Sequence, residues 1–544
     1  MTRYIRAAHP RNYPPNTSRN TTYRSYPHVT VGFSGYEDYT LGNSGHVDKI
    51  NQAIDAVASA GGGIVEVLGG TVEVDAVINA REGVTLQGAG RGVTIFDSSE
   101  WNQNVVIITS DSPGLADFTF RDFSMIGRFT PSISGYASAG QRGIGISRAR
   151  RIVTTGVYFE GFLDATVFGK KQSDPFDDQL GPLNIQEVVF DTNFIYDCVG
   201  GLQGFAWDRV VWSKNSFEKI GDDAIAFLGA TNSAPHATSA VLIGNHMKNG
   251  RPTNSLGYVG PGIFAKVDGG GNGPETLTKL IMMGNTVLDV YSAVYLANCS
   301  EIEIVDNQIE QTYISSIYGI GNAKKLMISF NQITNPNTSA SGSHAAVQLA
   351  GGAGTASDDV DISHNQVYGT NTGQKQGFNL EGSYENIKIK DNLLKDCNGH
   401  SAIYAETATR IDVCGNTIDG DAARAITVSG VDAHINDNTI NGTFSVAKIA
   451  GTVTGTKIVR DNIGYVTANK GTGTIASGDT TAVITHGLDR TPVAADIHIM
   501  PTENPTTEVG SIFITSISAT QFTVNVENAP STSGLDFGWK AEVL

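Results

Sequence analysis

The stretch Val188–Asn193, with the sequence VVFDTN, sets a pattern that recurs through the middle of the chain. Each recurrence alternates apolar and polar residues, which is the period of a β-strand. Each ends in an asparagine, which tolerates a left-handed backbone and can bond neighbouring backbone through its amide. These asparagines follow one another at spacings of 22 to 40 residues, most often 22 or 24. They are Asn193, Asn215, Asn245, Asn285, Asn307, Asn331, Asn365, Asn392, Asn416, Asn438 and Asn462.

Repetition at this length predicts a solenoid, because a single repeat of this size cannot bury its own apolar face. Leucine-rich repeats have a similar length, but their Leu-x-x-Leu-x-Leu frame is absent from this chain. The architecture that remains is an all-β parallel β-helix. In it the asparagines would stack as an internal ladder of side-chain amides.

The solenoid has a recognisable start. From His46 the chain reads HVDKINQAIDAVASAGGGIVEVLGG, in which Ile50, Ile54 and Val57 share one helical face before three glycines end the helix. This passage resembles the N-terminal cap of the pectate-lyase-like superfamily of right-handed β-helices. The resemblance covers about residues 46–465 and implies a right-handed, single-stranded parallel β-helix with a capping helix. The superfamily includes lyases, hydrolases, epimerases, phage tailspikes and non-catalytic fibres, so the resemblance implies a fold rather than a reaction.

Two smaller segments flank the solenoid. Residues 1–45 contain five arginines before the first acidic residue, Glu37, which fits either a disordered basic leader or an adaptor that docks on a larger assembly. Residues 470–544 contain about six short strands separated by turn residues, which predicts a small antiparallel β-sandwich. This last segment resembles C-terminal domains of phage tail proteins, which aid trimer formation or glycan attachment.

The composition restricts the partners. The 544-residue chain has a net charge of −17, which argues against nucleic acid and anionic membranes. The chain contains no apolar run of about 18 residues that would predict a membrane span. Its first residues lack the apolar core of a signal peptide. The sequence therefore favours assembly into a virion over signal-peptide export.

A second strand lies between successive asparagine phrases, as in DAIAFLG and SAIYAET. Apolar side chains alternate there with residues that we expect to face outward. The outward set is Phe264, Lys266, Tyr295, Tyr318, Gln348, Asn379, Glu381, Tyr404 and Glu406. Aromatic rings stack on sugar rings, while amides and carboxylates bond hydroxyls, so this strip predicts polysaccharide binding. Insertions at 229–240, 250–276 and 335–356 would wall such a groove. The alternatives are an ordinary exposed face or a subunit interface.

Asp222 and Asp223 form the first candidate catalytic pair. The run WDRVVWSKNSFEKIGDDAIAF resembles the segment of polygalacturonase-type glycosidases in which adjacent aspartates supply acid and base. The resemblance implies those roles for Asp222 and Asp223. This chain departs from the family at Gln203, where the preceding coil has no aspartate, and it lacks the family's histidine motif near Ile263. Acidic pairs of this kind also cap turns.

Glu381 and Glu406 form the second candidate pair, in one outward column on adjacent coils. Two carboxylates this close should raise the pKa of one of them, as an acid/base pair requires. A separation of about 5 Å would suit a retaining glycosidase. The alternative is two solvated glutamates. Five coils, about 24 Å, separate Asp223 from Glu381, so the two pairs cannot form one active site.

A polysaccharide lyase or uronate C5-epimerase is a further possibility. Lys266, Tyr295, Tyr258 and His236 could gather near Asp223 as proton partners, although the epimerase-type Asp-Pro-His motif is absent. The acidic loop that contains Asp174, Asp177 and Asp178 could hold Ca²⁺, or could simply be solvated. The spacing of cysteines and histidines indicates no other metal site and no cofactor motif.

The sequence as a whole predicts a phage tailspike-like or tail-fibre-like protein that forms a homotrimer and attaches to a virion through its N-terminal arm. Its expected activity is recognition of a cell-surface polysaccharide and hydrolysis of its glycosidic bonds. The rival interpretations are a lyase or epimerase, and a structural spike that binds glycan without cutting it.

Overall fold

The structure is a computed structural model. It describes residues 27–101, 105–109, 117–128, 141–146, 149–168, 185–204, 208–228, 237–250, 262–268, 277–297, 299–320, 325–338, 344–350, 357–369, 376–397, 399–503, 508–531 and 533–543. The chain winds into successive coils whose strands pair in parallel with the strands of the next coil. The predicted parallel β-helix is therefore confirmed.

Each coil contributes strands to three faces. Face 1 consists of Ile78–Ala80, Val105–Thr109, Arg142–Ile146, Asp164–Phe168, Gly200–Gly204, Asp223–Leu228, Ile263–Asp268, Ser292–Ala297, Ile317–Ile320, Ala345–Ala350, Gln376–Glu381 and Ala447–Ala450. Face 2 consists of His28–Gly32, Gly63–Val67, Val84–Gly88, Asp117–Arg121, Ala149–Thr155, Ile185–Asp191, Arg209–Ser213, Ala237–Ile243, Leu277–Met283, Cys299–Val305, Lys325–Ser329, Ser357–Ser363, Tyr384–Lys390 and Lys457–Arg460. Two long strands, Ser401–Cys414 and Arg424–Asn436, run across both faces and join them into one sheet.

Face 3 is a separate sheet of short strands. Its members are Gly70–Glu73, Thr94–Asp97, Ser124–Ile126, Tyr158–Glu160, Phe194–Tyr196, Ser216–Glu218, His246–Lys248, Thr286–Val290, Gln308–Thr312, Gln332–Thr334, Gln366–Tyr368, Leu393–Lys395, Thr417–Asp419 and Thr439–Asn441. The repeated asparagines lie at the corner between face 2 and face 3.

The asparagines form the expected ladder. Asn193 donates from its backbone N–H (2.9 Å) and its amide Nδ2 (3.1 Å) to Oδ1 of Asn215, and the same pair of bonds links each asparagine to the next as far as Asn462. Nδ2 of Asn193 also donates to the Thr154 carbonyl at 2.8 Å. The buried amides of the ladder are thus hydrogen-bonded both to the neighbouring asparagine and to the backbone. These bonds keep the coils in register.

The left-handed bend at this corner lies on the residue before each asparagine, not on the asparagine itself. Thr192, Asp306 and His364 occupy this position with φ of 55°, 56° and 58°. The expectation that asparagine supplies the bend is therefore wrong. Its amide must point inward along the ladder, so the turn uses the preceding residue, which faces solvent.

The interior is filled by apolar side chains from all three faces. Trp212 from face 2 stacks on Phe227 from face 1, with ring centroids 5.1 Å apart, and both are buried. The alternating positions that the sequence assigns to the interior, such as Ile225 and Phe227 or Ile403 and Ala405, are buried as expected.

Helix α1, His46–Ser59, covers the N-terminal end of the solenoid and buries Ile50, Ile54 and Val57. Gly62 follows it with φ of +99°, and a Cβ there would lie 2.7 Å from the Gly83 carbonyl oxygen, so only glycine fits. Strand His28–Gly32 pairs with Gly63–Val67 and with the short strand Tyr39–Thr40, so parallel pairing begins upstream of residue 46.

After the last coil, two three-stranded antiparallel sheets enclose a second core. One contains Ala468–Ile475, Ile497–Pro501 and Leu535–Glu542, and the other Thr481–Thr485, Ile512–Ile517 and Gln521–Val526. A short 3₁₀ turn, Ala494–Asp496, leads into Ile497–Pro501. Phe522 packs edge-on against Trp539 between the sheets, with ring centroids 5.6 Å apart. Lys448 of the solenoid forms an ion pair with Asp489 at 3.1 Å.

Candidate functional site

Face 1 carries one continuous outward column of side chains, which we call the strip. Strand pairing aligns its members coil by coil as Gln203, Ala226, Lys266, Tyr295, Tyr318, Gln348, Asn379, Tyr404 and Thr427. Six of these side chains are half-buried, whereas Ala226, Asn379 and Thr427 are buried. Asn379 donates from Nδ2 to Glu381 Oε1 at 3.1 Å. The structure therefore brings six of the residues expected to bind substrate into one row.

Phe264 does not belong to this row. Its side chain is 0% exposed and packs edge-on against Phe217, with ring centroids 6.2 Å apart. The expectation that it faces outward is wrong, because the strand alternation fails where each face 1 strand begins. At that point two successive residues face inward, and Phe264 is the first of them. In the preceding coils the same position is occupied by a small residue, Gly201 or Ala224.

The middle of the strip is an aromatic and amide surface. The rings of Tyr295 and Tyr318 lie 5.6 Å apart and are tilted by 34°. Gln348 follows on the next coil, where its Oε1 accepts from Ser315 Oγ at 2.8 Å and lies 3.1 Å from Nδ1 of His344. These contacts hold the Gln348 amide in one orientation through its oxygen. Its nitrogen, Nε2, is then the atom that can donate to a ligand on the strip.

Asp222 and Asp223 lie where one face 1 strand begins, beside the Lys266 end of the strip. Each is 5% exposed. Lys266 Nζ on the next coil lies 3.2 Å from Asp223 Oδ2. Burial raises the pKa of Asp222, and the Lys266 ammonium partly offsets that rise. A carboxyl whose pKa is raised by burial is better suited to donate a proton than an ordinary aspartate.

The structure adds a third carboxylate, Asp164, which sequence reasoning missed. Asp164 precedes Asp223 by two coils in the same column, with Gly200 between them. It is 3% exposed, and Arg142 Nε approaches its Oδ2 at 3.4 Å. A Cβ on Gly200 would lie 2.5 Å from Asp164 Oδ1, so the carboxylate extends over Gly200 toward the coil of Asp223.

A sequence signal for Asp164 does exist. Residues 164–168 read DATVF and residues 223–227 read DAIAF, so both strands begin with Asp-Ala and have Phe four residues after the aspartate. Pairing aligns Thr166 with Leu202, and Leu202 with Ile225, which puts the two phrases in register. We call Asp164, Asp222 and Asp223 the aspartate cluster.

Glu381 and Glu406 lie on adjacent coils at the other end of the strip, as expected. Tyr404 lies beside them, and its hydroxyl donates to Glu406 Oε1. Burial, that hydrogen bond and the charges of Glu406 and Glu381 raise the pKa of Tyr404. Burial and the Glu381 charge also raise the pKa of Tyr384. Both phenols are thus kept protonated and able to donate hydrogen bonds.

The two acidic groups are separate sites. Five successive strand pairings lead from the coil of Asp223 to that of Glu381, which corresponds to about 24 Å at the usual strand spacing. One polymer chain lying along the strip could contact both groups.

Face 2 has an outward apolar column that sequence reasoning did not single out. Pairing aligns Val153, Val189, Val211, Val241 and Ile281 on five successive coils. Beyond Ile281 the column becomes polar, with Glu303 as the next member. A row of half-buried valines on an outer face is suited to contact another protein surface.

Several expectations concern residues beyond those the structure describes. These are Asp174, Asp177 and Asp178 of the Ca²⁺ loop, and His236 and Tyr258 of the lyase hypothesis. Within the described ranges, no three His, Cys, Asp or Glu side chains form a group that could hold a metal ion. The described part of the chain also contains no helix long and apolar enough to cross a membrane.

Among solved structures, this chain is similar to a tailspike protein of E. coli bacteriophage HK620 in complex with pentasaccharide. That match has a TM-score of 0.45 at 13% identity and covers 93% of this chain and 92% of the other. The tailspike gp61 of Pseudomonas phage phi297 matches with a TM-score of 0.45 at 10% identity, covering 92% of each chain. The A-module of the Azotobacter vinelandii mannuronan C-5 epimerase AlgE6 matches with a TM-score of 0.41 at 15% identity, over 73% of this chain and 96% of the module.

No protein-family model matches the sequence, and no curated protein matches it. The strand pairings of the chain itself therefore carry the assignment to the parallel β-helix fold.

Proposed function

We propose that this protein is a tailspike-like polysaccharide depolymerase that binds a cell-surface glycan along the strip and hydrolyses its glycosidic bonds. The observation that carries the proposal is the aspartate cluster. Three carboxyl groups that are at least 95% buried lie within two coils of one another, near one end of a half-buried row of Tyr, Gln and Lys side chains. Burial of several acids in one place costs stability, so it is typical of sites where proton transfer is required.

The strip supplies binding. Tyr295 and Tyr318 offer ring faces to sugar C–H groups, and Gln348 offers its Nε2 as a hydrogen-bond donor to hydroxyls. Its members repeat at about 4.8 Å, close to the length of a sugar unit, so successive sugars meet successive coils. A linear polymer is therefore the ligand that best fits the shape.

Hydrolysis needs an acid for the leaving oxygen and a base for water. We assign the acid to Asp222, because burial raises its pKa. We assign the base to Asp164, because the Arg142 guanidinium beside it favours the ionised carboxylate. Asp223, paired with Lys266, then binds sugar hydroxyls next to the cleaved bond.

The separation of these groups favours inversion. Asp164 and Asp222 belong to coils two rungs apart, which corresponds to about 9.6 Å at the usual strand spacing. Inverting glycosidases place their two carboxyl groups about 6.5–9.5 Å apart. This assignment gives Glu381 and Glu406 a binding role in place of the catalytic role expected from sequence.

A polysaccharide lyase or uronate C5-epimerase is the second candidate. It is favoured by Lys266, whose ammonium lies on the strip between Asp223 and Tyr295 and could neutralise a uronate carboxylate. A spike that only binds glycan is the third candidate, and it would leave the aspartate cluster as a buried turn-capping group.

The apolar column of face 2 bears on assembly. If copies of the chain associate through Val153, Val189, Val211, Val241 and Ile281, the strip on face 1 stays open to substrate. Such an arrangement would leave the groove on the outside of the homotrimer that we propose, whereas an interface through the strip would cover it.

The test is incubation with a panel of bacterial capsular polysaccharides, pectin and alginate, followed by size-exclusion chromatography. New reducing ends and unsaturated-uronate absorbance are measured on the same samples. The proposal predicts shorter polymers and new reducing ends without absorbance. Shorter polymers together with unsaturated-uronate absorbance would indicate a lyase instead. Polymers that bind but are not shortened would indicate a spike that only binds glycan.

A further inference from the structure

A second charged group lies on the other side of Tyr404 from the glutamates. Arg424 begins the next face 1 strand, and its Nη1 donates to Nε2 of His400 at 2.6 Å. The ring of His400 stands edge-on to the ring of Tyr404, with centroids 6.1 Å apart. The Arg424 charge also opposes the rise in the pKa of Tyr404, so the guanidinium lies within electrostatic reach of the phenol.

The partner of Arg424 is a histidine ring, not a carboxylate. Because a guanidinium can only donate, Nε2 of His400 accepts this hydrogen bond. Nδ1 of His400 lies 3.4 Å from Ser401 Oγ, and Ser401 Oγ lies 2.7 Å from Thr427 Oγ1. These contacts hold the imidazole in place beside the guanidinium.

Most of the described arginines are paired with a carboxylate, whereas Arg424, like Arg121 beside Gln87, is not. Seven others lie within 4.0 Å of a carboxylate: Arg81, Arg142, Arg150, Arg151, Arg209, Arg410 and Arg460. Within the described ranges no carboxylate approaches Arg424 that closely. Four of its five N–H groups remain for a ligand, in a planar fork that fits a carboxylate.

A cleft adjoins this arginine. It has a volume of about 630 Å³ and is lined by Gly399, His400, Asp421, Ala422, Ala423, Thr443 and Ser445. This volume falls within the range of small-molecule sites, about 300–1,000 Å³, and would accept one sugar ring with its substituents. Asp421 is turned toward the backbone, where its Oδ1 accepts from the Thr443 N–H at 2.8 Å.

We propose that Arg424 and His400 form a binding subsite for the carboxylate of an acidic sugar in the polymer that occupies the strip. The sugar ring lies against Tyr404, its carboxylate meets Arg424, and its hydroxyls on the opposite side meet Glu381 and Glu406. Because acids lie on one side of Tyr404 and the cation on the other, the subsite also fixes the direction of the polymer. This inference rests on the proposed binding of polysaccharide along the strip.

The experiment measures binding of glucuronic acid to the full chain by ligand-observed NMR, with glucose as the neutral control. Glucuronic acid should bind in the millimolar range and glucose at least about tenfold more weakly, because an arginine–carboxylate contact is a charged hydrogen bond. Arg424→Gln should lower the affinity for glucuronic acid about tenfold or more. Arg410→Gln, whose guanidinium is bound to Asp412 in the same strand, should leave it unchanged.

Added salt should weaken glucuronic acid binding to the unmodified chain, since the contact is half-exposed. Equal affinity for the two sugars, or binding that Arg424→Gln leaves intact, would overturn the subsite. The outcome is separable from that of the depolymerase proposal. Glucuronic acid can bind at Arg424 in a protein that cuts nothing, and a depolymerase can act on a neutral polymer with no role for Arg424.

Discussion

Lys266 Nζ lies 3.2 Å from Asp223 Oδ2, and this ion pair joins the strip to the aspartate cluster across two neighbouring coils. The same ammonium partly offsets the effect of burial on the pKa of Asp222. One side chain of the binding surface therefore controls the acid that we assign to catalysis. Substitutions at Lys266 should change both binding and the pH dependence of turnover.

Replacing Lys266 by Met should move the basic limb of the pH–rate profile to higher pH. Asp222 can act as the acid only while its carboxyl group is protonated. Loss of the Lys266 ammonium raises the pKa of Asp222 further. The variant should therefore turn over at a pH at which Asp222 of the unmodified protein has already lost its proton. The measurement is kcat against pH on the polymer that is cleaved. Lys279→Met, which removes an ion pair with Glu303 on face 2, is the matched control and should leave the profile in place. A basic limb that moves to lower pH in Lys266→Met would contradict the assignment of Asp222 as acid.

The products should have inverted anomeric configuration. Asp164 and Asp222 lie two coils apart, a separation close to that of inverting pairs, in which a water molecule attacks on the far side of the sugar from the acid. Proton NMR of the first product formed would show the anomer before mutarotation. A retained anomer would point instead to the Glu381 and Glu406 pair on adjacent coils.

Asn285→Ala should destabilise the solenoid by about 3 kcal/mol. The side chain accepts two hydrogen bonds from Asn245 and donates to Asn307 Oδ1 and the Leu242 carbonyl, so its loss leaves buried donors and acceptors unpaired. Urea unfolding followed by circular dichroism gives the free energy of unfolding. Asn386→Ala removes an exposed amide that bonds Asp359 at 2.9 Å and should cost less than about 1 kcal/mol. Equal costs for the two variants would show that the ladder contributes little.

Val211→Lys combined with Val241→Lys should break the proposed homotrimer without unfolding the chain. The two valines lie at adjacent positions of the apolar column on face 2, where a charge would prevent burial against another copy. Sedimentation velocity measures the change from trimer to monomer. Met327→Lys lies in the same column between Glu303 and Asp361 and should leave the oligomer intact. If the double variant sediments like the parent protein, the interface lies elsewhere.

The sequence predicted the solenoid because the signal for it is local and repeated. Each asparagine phrase carries both the strand alternation and the ladder residue, so eleven copies reinforce one interpretation. Alternation also placed Lys266 and Tyr404 on the outside correctly. It failed for Phe264, because the backbone bends where face 1 begins and two successive side chains enter the core.

The missing parts of the site depend on relations between coils that are distant in sequence. Asp164 joins Asp223 only through the register of three coils, and the repeated Asp-Ala start is too short to stand out alone. Arg424 gains its significance from what it contacts, a histidine in place of a carboxylate. Valine is common in any β-strand, so the valines of face 2 do not stand out in the sequence. Their alignment in one column becomes visible only from the register of the paired strands.

The most direct test of the central claim compares Asp222→Asn with Glu406→Gln on a polysaccharide that the unmodified protein shortens. Release of reducing ends is followed together with binding of the same polymer. The account predicts that Asp222→Asn lowers kcat by about 100-fold or more and still binds, because a general acid contributes about 10²–10⁴-fold. Glu406→Gln should retain kcat within a few-fold and bind more weakly. Full activity in Asp222→Asn, or its loss in Glu406→Gln alone, would contradict the aspartate cluster as the catalytic site.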